Sequence, residues 1–230
     1  VLIYRFVTEG KEARRMKQMF GTYVNPSLVD VLVQNPDMLR LGGERMDLSA
    51  MFALAGGPGL ETHDAEELVD RLNEFFNEMT EAIFRYDGTL DKYEGSIIMA
   101  IFGAPVHYDD HPEKACKACA DMKKALIALE EKWKAEGKEP ITMNVGLNSG
   151  PMIAGNMGSA SRFNYTVMGD SVNLAARILG VGIQYKIQYL ISEYMYDRAK
   201  DAIIARKVDS VIVIGKEEPV DVFEIIAKAD

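Results

Sequence analysis

The segment FNYTVMGDSVNLAAR, residues 163–177, changes its period midway and decides how the rest of the chain is read. Tyr165, Val167 and their neighbours suit a short strand. Gly169 permits a tight exit, and Asp170 is placed to cap the helix that follows. On that helix Asn173 and Arg177 stand four residues apart and project from one face. An amide and a guanidinium presented together from a strand–turn–helix suit a sugar hydroxyl and a phosphate, because arginine offers a rigid fork of donors. On spacing alone, a helix carrying two solvated polar side chains is the preferred reading of the same residues.

Composition sets the outer bounds. With 230 residues, 48% hydrophobic and 27% charged, the chain can bury a core as one domain plus appendages. A net charge of −9 argues against a general nucleic-acid surface and leaves room for a local basic pocket. Cys116 and Cys119 lie in a helical run, EKACKACADMKKAL, with no second pair and no nearby histidine. Helix packing explains them better than metal or redox chemistry, and a reducing, cytoplasmic compartment follows. There is no complete membrane span or signal peptide. The chain starts at Val1 rather than methionine, as expected of a fragment. Val1 to Tyr4, followed by Arg5, Lys11, Arg14, Arg15 and Lys17, suits the cytoplasmic end of a membrane span with its basic flank. An amphipathic helix suits it too.

In chain order, residues 8–20 read as a charged helix, and Asn25-Pro26 opens another through Leu32. Leu41 to Glu44 reads as a turn. Met46, Leu48, Ala50, Phe52 and Leu54 then alternate as a strand with at least one buried face. A glycine-rich elbow, Gly56-Gly57-Pro58-Gly59, follows it. Asp64 with Glu67 forms a capping-box start to a helix carrying Leu68, Leu72, Phe75, Phe76, Met79 and Ile83. Strands are predicted at Thr89 to Glu94 and Ser96 to Phe102, around Gly95. His111-Pro112 opens a second long helix, closed by Gly137. Ile141 to Asn148 is a further strand, and Met152 to Ala154 the start of a hairpin partner. After the helix bearing Asn173 come a strand at Ile187 to Ile191, a short helix from Ser192, and three short strands ending at Ile226. Strand–helix–strand–strand–helix–strand is the order of a ferredoxin-like α+β sandwich.

Several of these segments together resemble the class III adenylate/guanylate (nucleotidyl) cyclase catalytic-domain family. They are FGTYVNPSLVDVL, LGGER, GTLDKYEG, IIMAIFGAP, NVGLNSG, AGNMGS, YTVMGDSVNLAARI and GKEEPVDVFEI. The resemblance divides the chain into an N-terminal helical transducer or linker, residues 1–45, and a cyclase homology domain, residues 46–230. It implies head-to-tail dimers whose sites are shared across the interface. There the 3′-hydroxyl of a nucleoside triphosphate attacks its own α-phosphate with the help of two metal ions. It also implies an upstream sensor or membrane domain reached through the N-terminal helix.

Position by position, Lys92 matches the family's base-reading lysine and Thr166 its partner. Asn173 and Arg177 match the pair that orients ribose and stabilises the transition state. Lysine with threonine resembles bacterial adenylate cyclases, which points to ATP. The metal-binding set departs from the pattern. Leu54 stands where the family's first aspartate is expected and Ser96 where the second is, and leucine has no oxygen for a hard cation. Pro58 removes a backbone N–H from the loop expected to cradle phosphates. Ile214 replaces a frequent lysine, while Lys216 is kept. Asp91 and Glu94 are the nearest carboxylates for a substitute site. No metal is therefore expected on this chain alone, and Mg or Mn with ATP only where a partner chain supplies the aspartates. Three readings remain: a dimerising pseudo-cyclase signalling module, homodimer included; a half-site partner in a heterodimer with a cyclase domain that bears both aspartates; and an active homodimeric adenylate cyclase with substitute ligands. A ferredoxin-like RNA-binding module would need a basic, aromatic sheet, and the acidic balance speaks against it.

Overall fold

In the computed structural model, which describes residues 41–61, 65–159, 161–212 and 218–229, the alternating run at Met46 belongs to strand β1 (Gly42–Gly56). The expected turn at Leu41 to Glu44 is instead the start of this strand, because Gly42 to Arg45 pair in register with Asn156 to Ile153. Met51, Ala53 and Ala55 enter one core, and Leu48, Ala50 and Phe52 pack into a second on the opposite face. Burial on both faces is why apolar residues fill the alternate positions as well.

The chain continues through a 3-10 turn (Pro58–Leu60), α1 (Ala65–Arg85), β2 (Thr89–Glu94), β3 (Ile97–Phe102), α2 (His111–Ala135) and β4 (Thr142–Ser159). The sheet order β2-β3-β1-β4, antiparallel at each step, is the expected ferredoxin-like half. Helices α1 and α2 cover one face. Phe75, Met79 and Ile83 meet Cys119, Met122 and Trp133 there over Ala53 and Ile98. Cys116 and Cys119 are free and fully buried, and burial pushes both thiols up, Cys119 to about 12. They are inert packing residues, as their helical spacing suggested.

The second half of the chain adds β5 (Arg162–Met168), α3 (Asp170–Tyr185), β6 (Tyr189–Ser192), α4 (Glu193–Ala199), β7 (Ile203–Val211) and β8 (Val220–Lys228). The eight-stranded sheet runs β2-β3-β1-β4-β6-β8-β7, with β5 paired to β4 off that path. Strand β5 and α3 cover the second face, where Val167, Val172 and Ala175 pack on Leu48, Met99 and Ile101. Gly146 in β4 lets α3 sit directly on the sheet. A Cβ there would lie 2.4 Å from Ala175 O and Leu179 N.

Two further sequence expectations change in this half of the chain. Met152 to Ala154 does not open a separate hairpin strand, because β4 is unbroken and its register with β1 runs from Thr142 to Asn156 across Gly150-Pro151. Pairing along the whole of β1 overrides the local break; the hairpin partner is β5. The three short C-terminal strands are two long ones, β7 and β8. Register shifts at Ile204/Ala205 and Lys207/Asp209 interrupt the alternation and made them read as fragments. Residues 1–40, which carry the predicted N-terminal helices and basic flank, lie outside the described residues, as do Asp64, Ile214 and Lys216. Among the described residues no helix is long and apolar enough to cross a membrane.

A buried polar chain ties the layers together. His111, at the start of α2, meets Ser49 Oγ through Nδ1 at 2.7 Å and Arg198 through Nε2 at 3.2 Å. Ser49 Oγ is 2.6 Å from Ser149 Oγ, and Ser149 donates to the Met195 sulfur. Arginine can only donate, so Nε2 accepts and Nδ1 carries the proton towards Ser49. The direction is thereby fixed from Arg198 in α4 through His111 and Ser49 to Ser149 in β4. Burial and the facing Arg198 guanidinium pull the His111 pKa down to about 4, against the weaker opposite pull of Asp47.

The unfolded chain therefore binds this proton between about pH 6.5 and 4 while the folded chain does not, so stability is full above that window and falls as pH drops through it. His111→Gln is expected to cost stability at pH 7, with the gap to the parent narrowing by on the order of 1–3 kcal/mol by pH 5. Urea unfolding at both pH values reads this out, and parallel curves would refute it.

Candidate functional site

A register shift in β2 shapes the first cluster. Leu90 faces Ala100 and Lys92 faces Met99, so Asp91 is an extra residue in a bulge. The bulge puts Lys92 on the Met99 side, beneath β5. Tyr93 falls on the α1 side, where its hydroxyl meets Thr80 and its ring stacks on Phe76 at 4.5 Å. A regular strand would have exchanged these two side chains.

Thr166, on β5, closes over Lys92, with Nζ 3.5 Å from its hydroxyl. That hydroxyl donates to Asp91 Oδ2 at 2.5 Å. The Asp91 side chain is fully buried, with Lys92 Nζ 3.2 Å from Oδ1. Oδ1 has no well-aligned hydrogen bond of its own, so charge rather than geometry joins it to the ammonium. Burial pushes the Asp91 carboxyl up, and the Thr166 hydroxyl and Lys92 pull it back. Lys92 and Thr166 are thus brought together as the sequence pattern implied. Asp91 is the residue that sequence reasoning misplaced. It was a fallback metal ligand there, and the only signal for its place in this cluster was its position beside Lys92, since alternation does not reveal a bulge.

The second pair stands on the first two turns of α3. Gly169, at φ +137°, caps the helix, not Asp170. Asp170 lies one residue inside the helix, and its carboxylate stands 3.7 Å from Arg177 Nη1. That nitrogen is buried and makes no hydrogen bond, which leaves a donor available to an anion. Asn173 is exposed on the same helix. Thr166 and Asn173 lie on either side of the turn at Gly169, which joins β5 to α3.

Leu54 and Ser96 meet where the resemblance expects two aspartates. Ala55 N donates to Ser96 O at 2.9 Å, and Leu54 pairs in register with Ile97. Leu54 alternates with Met51, Ala53 and Ala55 and so points with Ala50 and Phe52 towards the face that β5 and α3 cover. Glu94 is exposed at the end of β2, and Asp91 is engaged as described. Among the described residues no group of three His, Cys, Asp or Glu side chains could hold a metal ion. A hard divalent cation does not fit an alkyl group and a neutral hydroxyl. The elbow is committed as well. Gly59 N donates to Pro140 O, Leu60 N to Gly57 O and Glu61 N to Pro58 O. Arg71 donates to Gly59 O and Glu139 O, locking the turn against the approach to β4.

Comparison with known proteins bears on this arrangement. Residues 56–225 match the family described as the adenylate and guanylate cyclase catalytic domain. Adenylate cyclase 1 of Rhizobium meliloti (strain 1021) is 27% identical over 209 residues, which cover 90% of this chain and 31% of that protein. The chain thus spans about a third of that curated relative. Among solved structures, the adenylyl cyclase CyaB from P. aeruginosa is 31% identical with a TM-score of 0.71, covering 81% of this chain and 96% of that one. The guanylyl cyclase Cya2 is 28% identical with a TM-score of 0.72, covering 83% and 96%. With the fold, the order of the motifs and the matched span in agreement, this chain belongs to the adenylate and guanylate cyclase catalytic-domain family.

Proposed function

We propose that this chain is an adenylate-cyclase-like signalling domain that keeps the base, ribose and phosphate-facing side of a shared site and lacks the metal-binding side. Lys92 and Thr166 hold the base of ATP. Asn173 orients the ribose, and Arg177, whose Nη1 makes no hydrogen bond within the chain, meets the phosphates. The observation that carries the reading is the meeting of Leu54 and Ser96 where two carboxylates are required. In a homodimer each site would combine the retained set with no aspartate, so the chain is a pseudo-cyclase by itself. It becomes half of a working site only beside a cyclase domain that brings both aspartates. The N-terminal segment then connects it to an upstream sensor or membrane anchor, and the domain lies on the cytoplasmic side.

An active homodimer with substitute ligands is the competing reading. It would rest on Asp91 and Glu94, the first engaged by Thr166 and the second exposed at the strand end.

Purified chain is to be assayed with ATP and Mn²⁺ alone, and then mixed with a related domain whose aspartates are intact but whose asparagine and arginine are replaced. Turnover in the mixture at least about 100-fold above either component is the half-site result. Silence in both arrangements leaves the pseudo-cyclase module, and cyclic AMP from the chain alone would overturn the proposal.

The double substitution Leu54→Asp with Ser96→Asp is expected to give metal-dependent cyclic AMP formation roughly 10-fold or more above the parent. No gain, with the fold intact by circular dichroism, would mean that the Pro58 elbow has also closed the phosphate side.

A further inference from the structure

We propose that Asp91 is a positioning residue that sets nucleotide preference by fixing the hydroxyl hydrogen of Thr166. The inference rests on the assignment of Lys92 and Thr166 as the base pocket. A threonine hydroxyl carries one hydrogen and two lone pairs, and left free it can greet a donor or an acceptor equally. Here it is not free. Its hydrogen goes to Asp91 Oδ2 at 2.5 Å, and Lys92 Nζ approaches the oxygen at 3.5 Å. One lone pair is left for a ligand, so Thr166 can accept from the pocket and cannot donate into it.

An exocyclic amine at purine position 6 supplies the hydrogen this oxygen lacks. A 6-oxo group would set acceptor against acceptor, at the cost of an unmatched buried polar pair. Adenine is therefore matched and guanine mismatched through a residue that itself stays out of the pocket. The bulge makes this possible, because it brings Asp91 and Lys92 to Thr166 from adjacent positions of one strand.

Asp91→Asn reverses the hydrogen-bond direction with almost no change in shape. The Lys92 ammonium beside Oδ1 attracts the amide oxygen, which leaves the amide nitrogen to donate to Thr166. The threonine hydrogen must then turn into the pocket, where it suits a 6-oxo purine. Equilibrium binding of ATP and GTP to the full chain, parent and variant, reads the ratio of dissociation constants. The parent is expected to prefer ATP, and Asp91→Asn to move the ratio about tenfold or more towards GTP. In a Thr166→Val background the same substitution is expected to leave the ratio unchanged, since Asp91 acts through the hydroxyl.

An unchanged ratio in Asp91→Asn, or an equal shift in the Thr166→Val background, would overturn the inference and leave the pocket assignment standing. A parent that binds neither nucleotide would overturn both. A measurement that needs no variant compares purine riboside triphosphate, which has hydrogen at position 6, with inosine triphosphate on the parent chain. The first is expected to bind more tightly, and tighter binding of inosine triphosphate would refute the proposed orientation.

Discussion

Strand β1 lies against β4 along its full 15 residues and from Leu48 onward packs into a core on each face, and this pairing constrains the rest of the molecule. Its two faces seed two separate cores, one roofed by α1 and α2 and the other by β5 and α3. Strand β5 pairs with the last part of β4, from Ile153 to Ser159, and packs into the core of the second face. That pairing brings Thr166 to Lys92 on β2, the strand at one edge of the sheet.

The central strands and both long helices were legible because their period matched their burial: alternation in β1, and the Phe75, Met79, Ile83 stripe in α1. What misled the reading was local punctuation that tertiary pairing overrode. Gly42-Gly43 and Gly150-Pro151 both suggest turns, yet both lie inside a continuous ladder. Bulges acted in the reverse sense and made long C-terminal strands look short. At the candidate site, residue types and order pointed to Lys92, Thr166, Asn173 and Arg177 through family resemblance. Hydrogen-bond direction, the engagement of Asp91 and the unmatched Arg177 nitrogen needed coordinates.

Leu54 lies in the β1–β3 ladder opposite Ile97, and Ser96, in the turn before β3, accepts a hydrogen bond from Ala55 N. Within a chain of net charge −9, Lys92 and Arg177 each stand beside an acid, Asp91 and Asp170 respectively. The buried Arg198–His111–Ser49–Ser149 chain lies elsewhere, joining α2, α4 and the central strands.

The bulge in β2 makes the pocket depend on length more than on composition. Exchanges at Glu94, exposed at the strand end, leave the architecture alone. Loss of one residue between Leu90 and Tyr93 would rotate the remainder of the strand by half a turn, turning an aromatic ring towards β5 and an ammonium into the helix layer. Insertions and deletions at this point consequently disturb the strand more than substitutions do, so the spacing of the Leu-Asp-Lys-Tyr run, not its composition alone, fixes which side chain meets Thr166.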